Sequence, residues 1–392
     1  MPILLFDGPE RAHLLPFTYV RPVAHLLLGI DRLIDKWEAA VGEECSVYAE
    51  SYLQNKFPPV FGELNRFVNS SFLPSLPLKD QILSLKENQC LFIDDQPIAL
   101  VTKERTLPED YTVFERIDFR EKILHITHVA DLFLLNADVL EEDFVRLTEG
   151  RHSAPLSATN RVINPDRIFI EEGAVVEHAI LNATEGPIYI GKNAEVMEGS
   201  MLRGGIALGE QAVVKMGAKI YGGTTLGPFC KVGGELSNVV MLGYSNKGHD
   251  GFLGNAVIGE WCNIGAATDA SNLKNSYAKL RVWNYETENF AKTELQFCGL
   301  LMGDFSRCSI HTMFNTATVV GVCSNLFGSG FPRTFLPSFS YGGAQKLTTF
   351  QFEKAMNSNM AMMDRRGKTL TDEDRKILSH VYELSSKWRK DS

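Results

Sequence analysis

A six-residue period runs through the middle of the chain and limits the folds that this sequence can adopt. Eight aliphatic residues recur at that spacing: Ile190, Val196, Leu202, Leu208, Val214, Ile220, Leu226 and Val232. Four residues after each of them stands a mostly small residue, including Ala194, Ser200, Ala212 and Ala218. An α-helix repeats about every 3.6 residues and a strand about every two, so neither gives this pattern.

A prism with three faces accounts for the period. Each face takes one hexapeptide, so three hexapeptides complete a turn, and one aliphatic side chain per face points inward. Small residues fit near the corners, and glycine eases the turns. We therefore predict a left-handed parallel β-helix over residues 156–345, which is an exception to the usual right-handed crossover of parallel strands.

The period slips before the stretch SNKGHDGFLG, residues 245–254. The aliphatic phase returns only at Phe252, 20 residues after Val232, which is two more than three hexapeptides. We therefore expect two extra residues in this coil, which would expose His249 in a cleft. Histidine titrates near neutrality and suits a general base. The alternative is a loop histidine that only caps a corner of the prism.

The segment before the repeat has a different pattern. Residues 1–155 alternate strand and helix signals, which predicts an α/β domain. Strands are expected in PILLF, RFVNSSFLP and QCLFIDDQPIALV, and an amphipathic helix is expected in AHLLLGIDRLIDKWEAA with Leu26, Ile30, Leu33 and Ile34 on one stripe.

After the repeat, residues 346–392 predict C-terminal helices that cap the last coil. The second helix has Thr371 as N-cap and Asp374 three residues later, and its stripe of Ile377, Val381 and Leu384 is expected to pack on the β-helix. A weaker echo of the period beyond residue 300 indicates that coils continue after an excursion at about 270–300.

Composition narrows the classes of function. The net charge of −9 argues against a nucleic-acid binder, which usually has a basic face. No run approaches a membrane span, and the first residues lack a signal-peptide pattern, so we expect no membrane partner. The seven scattered cysteines form no metal-ligand spacing and favour a reducing, cytoplasmic location.

The segment GHDGFLGNAVIGEWCNIGAATDASNLK, residues 248–274, carries a family resemblance. It resembles the acetyltransferase part of the bifunctional N-acetylglucosamine-1-phosphate uridylyltransferase / glucosamine-1-phosphate N-acetyltransferase family. The resemblance implies that His249 is the general base and that Asn272 contacts the acceptor. Phe252 stands where the family commonly has a substrate-contacting tyrosine, and Lys247 and Lys274 are candidate phosphate contacts. The alternative for Asn272 is an asparagine that only forms a turn. The alternative for Lys247 and Lys274 is that they are ordinary solvated lysines.

The first residues extend this resemblance. FDGPERAHLLPFTYVRPVAHLLLG resembles, loosely, the opening of a sugar nucleotidyltransferase, which implies that Arg11 and Arg21 contact the nucleotide. Their alternative is structural ion pairing. Gly8 is the single glycine of the phosphate loop, and Asn69 lies where such enzymes carry a metal-binding aspartate. Asparagine is a far weaker Mg²⁺ ligand than a carboxylate, so the metal ligands are not assigned.

Taken whole, the chain resembles the shorter alternative bacterial branch of this family. That resemblance implies a cytoplasmic homotrimer that makes UDP-N-acetylglucosamine, a cell-wall precursor. The substrates would be glucosamine 1-phosphate, acetyl-CoA and UTP, with Mg²⁺ for the nucleotidyl step. Backbone groups at Ala266 and Ala267 would hold the acetyl-CoA arm.

Two other functions remain open from the sequence. One is a nucleotidyltransferase for a different sugar 1-phosphate, with the β-helix only structural. The other is a non-catalytic protein that binds sugar nucleotides. The altered phosphate loop favours this function for the N-terminal half. The intact GH segment argues against it for the rest of the chain.

Overall fold

The computed structural model describes residues 1–389 of the 392-residue chain. The chain forms two compact units. The first comprises Met1–Leu14, Val20–Leu26 and Asp31–His128, and the second comprises Leu15–Tyr19, Leu27–Ile30 and the chain from Val129 onward. The predicted architecture of an N-terminal α/β domain, a parallel β-solenoid of about 10 turns and C-terminal helices is confirmed. The domain boundaries at 155/156 and 345/346 stay predictions.

A mixed six-stranded sheet forms the centre of the first unit. Its strands lie in the order Cys45–Tyr48, Ile3–Phe6, Asn65–Asn69, Gln96–Thr102, Gln89–Ile93 and Glu115–Asp118. The first three are parallel, so Phe6 and Asn69 lie side by side at their carboxyl ends. That edge is where open α/β sheets usually bind ligands. As predicted, strands form at Ile3–Phe6 in PILLF, at residues 66–69 of RFVNSSFLP, and at Gln89–Ile93 and residues 96–101 in QCLFIDDQPIALV.

The helix predicted in AHLLLGIDRLIDKWEAA is only partly correct. The α-helix runs over Leu33–Val41, so Leu26 and Ile30 lie outside it. The chain before it forms a 3₁₀ turn, Val23–His25, and the short strands Leu27–Leu28 and Asp31–Arg32. Gly29 has a φ of +71°, a left-handed conformation that suits glycine and stops a helix.

The remaining helices and irregular elements are short. The α-helices are Leu76–Ser84, Asp131–Leu134, Asn136–Thr148, Phe352–Asp364 and Asp372–Leu384. The 3₁₀ helices besides Val23–His25 are Pro9–Leu14, Ser51–Leu53, Tyr111–Val113, Pro165–Arg167 and Ser386–Trp388.

The solenoid consists of three rows of short parallel strands. One row stacks Ile168–Ile170, Ile188–Ile190, Ile206–Leu208, Thr224–Leu226, residues 239–241, residues 257–258, Leu300–Met302, Thr318–Val320 and Phe335–Leu336. The second stacks Val175–Val176, Glu195–Val196, Val213–Val214, Lys231–Val232, Asn246–Lys247, Asn263–Ile264, Arg307–Cys308, Asn325–Leu326 and Ser340–Gly342, which then pairs antiparallel with Leu347–Thr349. The third contains Arg161–Ile163, Ile180–Asn182, Met201–Arg203, Lys219–Tyr221, residues 235–237, residues 252–254, Asp269–Ala270 and Met313–Phe314.

The strand register confirms the six-residue repeat. Ile190 pairs with Leu208 and Leu208 with Leu226, so residues 18 apart stack in successive turns. All eight aliphatic residues of the repeat are at most 1% exposed. Because one inward side chain per face fills the narrow interior, the period of the sequence is the period of the fold.

The coil before His249 is shorter than the repeat, which contradicts the prediction of two extra residues. Val232 pairs with Lys247, which is 15 residues away instead of 18. Most of the missing residues are lost at one corner of this coil. Three residues separate the inward positions Val232 and Leu236 there, whereas five separate Val214 and Ile220 in the preceding coil. Leu253 pairs with Leu236 and points inward, so Phe252 is not the inward residue predicted from the sequence.

Beyond residue 270 the chain leaves the solenoid and returns at Cys298. The excursion carries an antiparallel hairpin, Arg281–Asn284 with Asn289–Lys292, and the next coil pairs Ile258 with Met302. The predicted excursion is confirmed. The C-terminal helix Asp372–Leu384 has the predicted capping box of Thr371 and Asp374. Leu384, however, is exposed, and Leu378 is buried beside Ile377 and Val381 in its place.

Candidate functional sites

His249 lies on an exposed corner between the second and third rows of the solenoid. The corner of the preceding coil consists of Gly233, Gly234 and Glu235. A Cβ on Gly233 would lie 2.8 Å from the Gly248 oxygen, and one on Gly234 would lie 2.7 Å from the Gly251 oxygen. Gly234 also has a φ of +74°. Only glycines therefore let the shortened corner lie directly against the corner that presents His249.

Lys247 is buried, which does not fit its predicted contact with a phosphate. Its residue is 2% exposed and its side chain takes an inward position of the solenoid. The Nζ atom donates hydrogen bonds to the carbonyl oxygens of Gly233, at 3.0 Å, and His249, at 2.9 Å. Burial lowers the pKa of Lys247 to about 8, while Asp269 and Asp250 act in the opposite direction.

Ala266 and Ala267 lie on the corner of the next coil, beside His249. The Ala267 amide donates to the Asp250 oxygen at 2.9 Å, so that N–H is already engaged. The Ala266 oxygen accepts a hydrogen bond from the amide of His311, which lies on the same corner one coil further along. Their predicted contact with the acetyl-CoA arm stays a prediction. The structure thus brings His249, both alanines and His311 to one edge of the solenoid.

Phe252 and Asn272 come together at the other end of the third-row face. A Cβ on Gly254 would lie 2.6 Å from Cζ of Phe252 and 2.8 Å from Nδ2 of Asn272. Asn272 donates from Nδ2 to Oδ1 of Asn255 at 2.8 Å, which fixes its side-chain amide. The Phe252 backbone N–H donates to Oδ1 of Asp269 at 2.7 Å. The side-chain amide of Asn272 and the ring of Phe252 therefore both lie next to Gly254.

Lys274 lines a cavity of about 390 Å³ at the base of the hairpin. The other lining residues are Arg281, Phe290, Asn315, Thr316 and Thr334. Two cations, an amide and two hydroxyls line it, and no carboxylate does. Arg281 donates from Nε and Nη2 to the Phe290 oxygen, which fixes its guanidinium. Such a lining suits a phosphate or another small anion.

Arg11 lies among acidic and phenolic groups in the loop after the first strand. Its Nη1 is 3.4 Å from a carboxylate oxygen of Glu50, and its Nη2 donates to the Tyr52 hydroxyl at 2.7 Å. Its Nε is 3.7 Å from Oδ2 of Asp7. Burial raises the pKa of Asp7 to about 7, although the Val23 N–H and Arg11 act to lower it. These contacts agree with the alternative that Arg11 forms structural ion pairs. Its predicted contact with a nucleotide stays a prediction.

Arg21 is also buried in the first unit, at 5% exposure. Burial, together with the nearby cations Arg32 and Arg21, lowers the pKa of His25 to about 3. An arginine with so little exposure can reach a nucleotide only if its surroundings move. Its predicted nucleotide contact stays a prediction.

A hydrogen-bond network centred on Glu10 closes the loop at the end of the first strand. The Glu10 carboxylate accepts from Gln96 and from Nδ2 of Asn69, at 3.3 Å for the latter, and Nε2 of His125 lies 2.9 Å from it. Oδ1 of Asn69 accepts from both the N–H and the hydroxyl of Ser71. The hydrogen bonds from His125 and Gln96 help to lower the pKa of Glu10 against its burial.

This network does not fit a Mg²⁺ site. Mg²⁺ needs oxygen ligands in near-octahedral geometry, usually including carboxylates. The amide oxygen of Asn69 is already occupied by Ser71, and the Glu10 carboxylate is occupied by its donors. Over residues 1–389, no group of three or more His, Cys, Asp or Glu side chains is arranged to hold a metal ion.

Sequence reasoning missed several residues at these sites. Arg281 stands in an aperiodic excursion, so no spacing connected it with Lys274. Glu10 and His125 are 115 residues apart and meet only in the fold. The Gly233–Gly234 pair was the available signal for the short corner, since consecutive glycines mark tight turns.

Comparisons with known proteins agree with part of the predicted resemblance. A family model described as sugar nucleotidyl transferase matches residues 3–152. No curated protein matches the chain. The narrower bifunctional family therefore stays a prediction.

Two solved structures align with the chain at low similarity. One is the UDP-N-acetylglucosamine acyltransferase of Arabidopsis, at 14% identity and a TM-score of 0.24, covering 60% of this chain and 82% of the other. The second is the polySia-specific acetyltransferase NeuO, at 11% identity and a TM-score of 0.25, covering 49% and 87%. Scores this low carry no argument about activity. Among residues 1–389, no helix has the length and apolar character needed to cross a membrane.

Proposed function

We propose that the solenoid transfers an acetyl group from acetyl-CoA to the amine of glucosamine 1-phosphate. The observation that carries this proposal is the exposed corner of His249, which lies directly against the shortened, glycine-lined corner of the preceding coil. In the reaction the amine nitrogen attacks the thioester carbon, the C–N bond forms and the C–S bond breaks. His249 takes a proton from the amine nitrogen as the C–N bond forms and returns it to the leaving sulfur, so that coenzyme A leaves as the thiol.

Other residues would position the acceptor. The Asn272 amide, fixed by Asn255, would donate to the sugar or to the carbonyl oxygen that becomes negative. The cavity with Lys274 and Arg281 would hold the phosphate. Phe252 has no hydroxyl, so it would contact the sugar ring through its aromatic face. We further propose a cytoplasmic homotrimer, in which a neighbouring copy completes each acyl site.

For the first unit we propose transfer of a uridylyl group to the sugar 1-phosphate, which would give UDP-N-acetylglucosamine. The match of residues 3–152 to the sugar nucleotidyl transferase model supports this half. The Glu10 network favours a second candidate for the same unit. Because the Glu10 carboxylate and the Asn69 amide oxygen already accept hydrogen bonds within the protein, they would not coordinate a metal ion, and the unit would bind a sugar nucleotide without transferring it.

One assay tests both halves separately. Purified protein is given glucosamine 1-phosphate and acetyl-CoA, and free thiol is followed. UTP and Mg²⁺ are then added and pyrophosphate is measured. Thiol release that depends on the acceptor is expected, and its absence would overturn the acetyltransferase proposal. Thiol without pyrophosphate would support the binding role of the first unit.

Replacing Arg281 by alanine is expected to raise the KM for glucosamine 1-phosphate about ten-fold, with a smaller change in kcat. A hydrogen bond to a charged group contributes about 1.5–3 kcal/mol, and about 1.4 kcal/mol corresponds to a factor of ten. Measuring acetyl transfer to glucosamine without phosphate gives the specificity control, since its KM should not change. Lys292→Ala is the matched variant, because Lys292 pairs with Arg281 across the hairpin but does not line the cavity. Equal effects of the two variants would argue against a phosphate subsite.

A further inference from the structure

A lysine replaces the aliphatic residue at one inward position of the second row. In the other coils of that row the buried inward positions are occupied by Val176, Val196, Val214, Val232, Ile264, Cys308, Leu326 and, in the last coil, Gly342, none of them charged. Lys247 pairs with Val232 and is equally buried. Burying an ammonium group is unfavourable unless its N–H groups are satisfied, so this exception needs a compensating interaction.

The compensating contacts are backbone carbonyls at the corner of His249. Nζ donates to the oxygen of His249 itself and to the oxygen of Gly233 in the shortened corner of the preceding coil. The Gly233 N–H in turn donates to the Lys247 oxygen at 2.7 Å. One side chain thus joins two neighbouring corners of different length, the shortened Gly233–Gly234 corner and the regular corner that carries His249.

An ion pair does not explain why Lys247 is buried. The charged or titratable groups that act on it are Asp269 and Asp250 on neighbouring parts of the solenoid and the thiol of Cys308. Within the described chain, neither carboxylate lies within 4.0 Å of its ammonium group as an ion pair. A methionine of similar length would fill the same space without the cost of burying a charge. What methionine cannot do is donate to the two carbonyls.

We propose that Lys247 is a positioning residue that fixes the corner of His249 against the shortened Gly233–Gly234 corner, so that the imidazole stands where a base is needed. The catalytic meaning of this assignment rests on the proposed acetyl transfer, in which His249 is the base. The fixing of the corner itself does not depend on that reaction. The role differs from the phosphate contact that the sequence predicts for the same lysine.

The test is Lys247→Met, compared with Lys231→Met. Lys231 belongs to the same row but lies beside an inward position instead of occupying it. For Lys247→Met we expect kcat of acetyl transfer to fall about 10–100-fold, since a displacement of about 1 Å can cost about 100-fold. The KM for acetyl-CoA should change little. The thermal midpoint should change little, because removing the buried charge offsets the loss of the donor to two carbonyl oxygens. Lys231→Met should leave kcat unchanged.

Hydrogen exchange gives a readout that does not require activity. The amides of residues 248–252 are expected to exchange about ten-fold faster or more in Lys247→Met, with protection elsewhere in the solenoid retained. Wild-type exchange at this corner, or wild-type kcat, would overturn the positioning role. A lower thermal midpoint with faster exchange throughout the solenoid would also overturn it, since it would show a general packing role. If the wild-type protein releases no thiol, the proposed function fails, and exchange at residues 248–252 still decides whether Lys247 fixes the corner.

Discussion

Replacing His249 by alanine is expected to lower the rate of acetyl transfer by about 10²–10⁴-fold. A positioned general base contributes about that much, and alanine cannot accept the proton that the attacking amine loses. His249 is exposed, and no structural hydrogen bond of its ring is found in the described chain, so the fold should tolerate the change. The measurement is thiol release from acetyl-CoA with glucosamine 1-phosphate as acceptor.

His178→Ala is the matched control for this prediction. His178 is an exposed histidine on the corresponding corner near the start of the solenoid, and its oxygen accepts from the Gly199 N–H as part of the regular coil. Its replacement should leave the rate unchanged. Undiminished thiol release from His249→Ala, or an equal loss in both variants, would contradict the role of His249 as base.

The first unit is expected to lose stability as the pH rises from about 4 to about 7 because of Asp7. Its pKa is raised from 3.8 to about 7 in the folded state, chiefly by burial. Between these values the folded state holds a proton that the unfolded state has lost. The free energy of unfolding therefore falls as the pH rises from about 4 to about 7. At about 1.36 kcal/mol per unit of pKa difference, the loss is about 4 kcal/mol at most.

Asp7→Asn removes this titration while keeping a side-chain oxygen for the Val23 N–H, which donates to Oδ1 at 2.8 Å. Relative to this variant, the wild type should become less stable between pH 4 and pH 8, measured by hydrogen exchange of the strand Ile3–Phe6. Asp95→Asn is the control, because Asp95 is fully exposed and its replacement should give no such step. If the wild type instead gains stability over this range, the ion pair of Asp7 with Arg11 outweighs the burial of the carboxyl.

Much of the fold is predictable from the sequence because local pattern and tertiary structure coincide in a solenoid. Each inward residue contacts mainly the residues one turn away, so a period of six in the sequence is enough to predict the strands and their stacking. The capping box of Thr371 and Asp374 is predictable for the same reason, since it spans three residues. Leu26 and Ile30 were misplaced because Gly29 interrupts a stripe that otherwise has helical spacing.

The candidate site was predicted less completely. The position of His249 follows from the interrupted period, but the direction of the interruption was wrong. Counting from Val232 to Phe252 suggested an insertion, whereas the inward residues are Lys247 and Leu253. Lysine is rarely fully buried, so its residue type gives no signal for an inward position.

The sequence by itself determined that this chain forms a β-solenoid after an α/β domain, and that the repeat is interrupted in the coil before His249. Those features depend on side-chain periodicity, which is local. Only the tertiary structure decided that Lys247 faces inward, that Arg281 joins Lys274 around a cavity, and that Glu10 meets His125 and Asn69. These contacts join residues from different coils and distant segments, and their chemistry depends on burial and distance, which no spacing along the chain records.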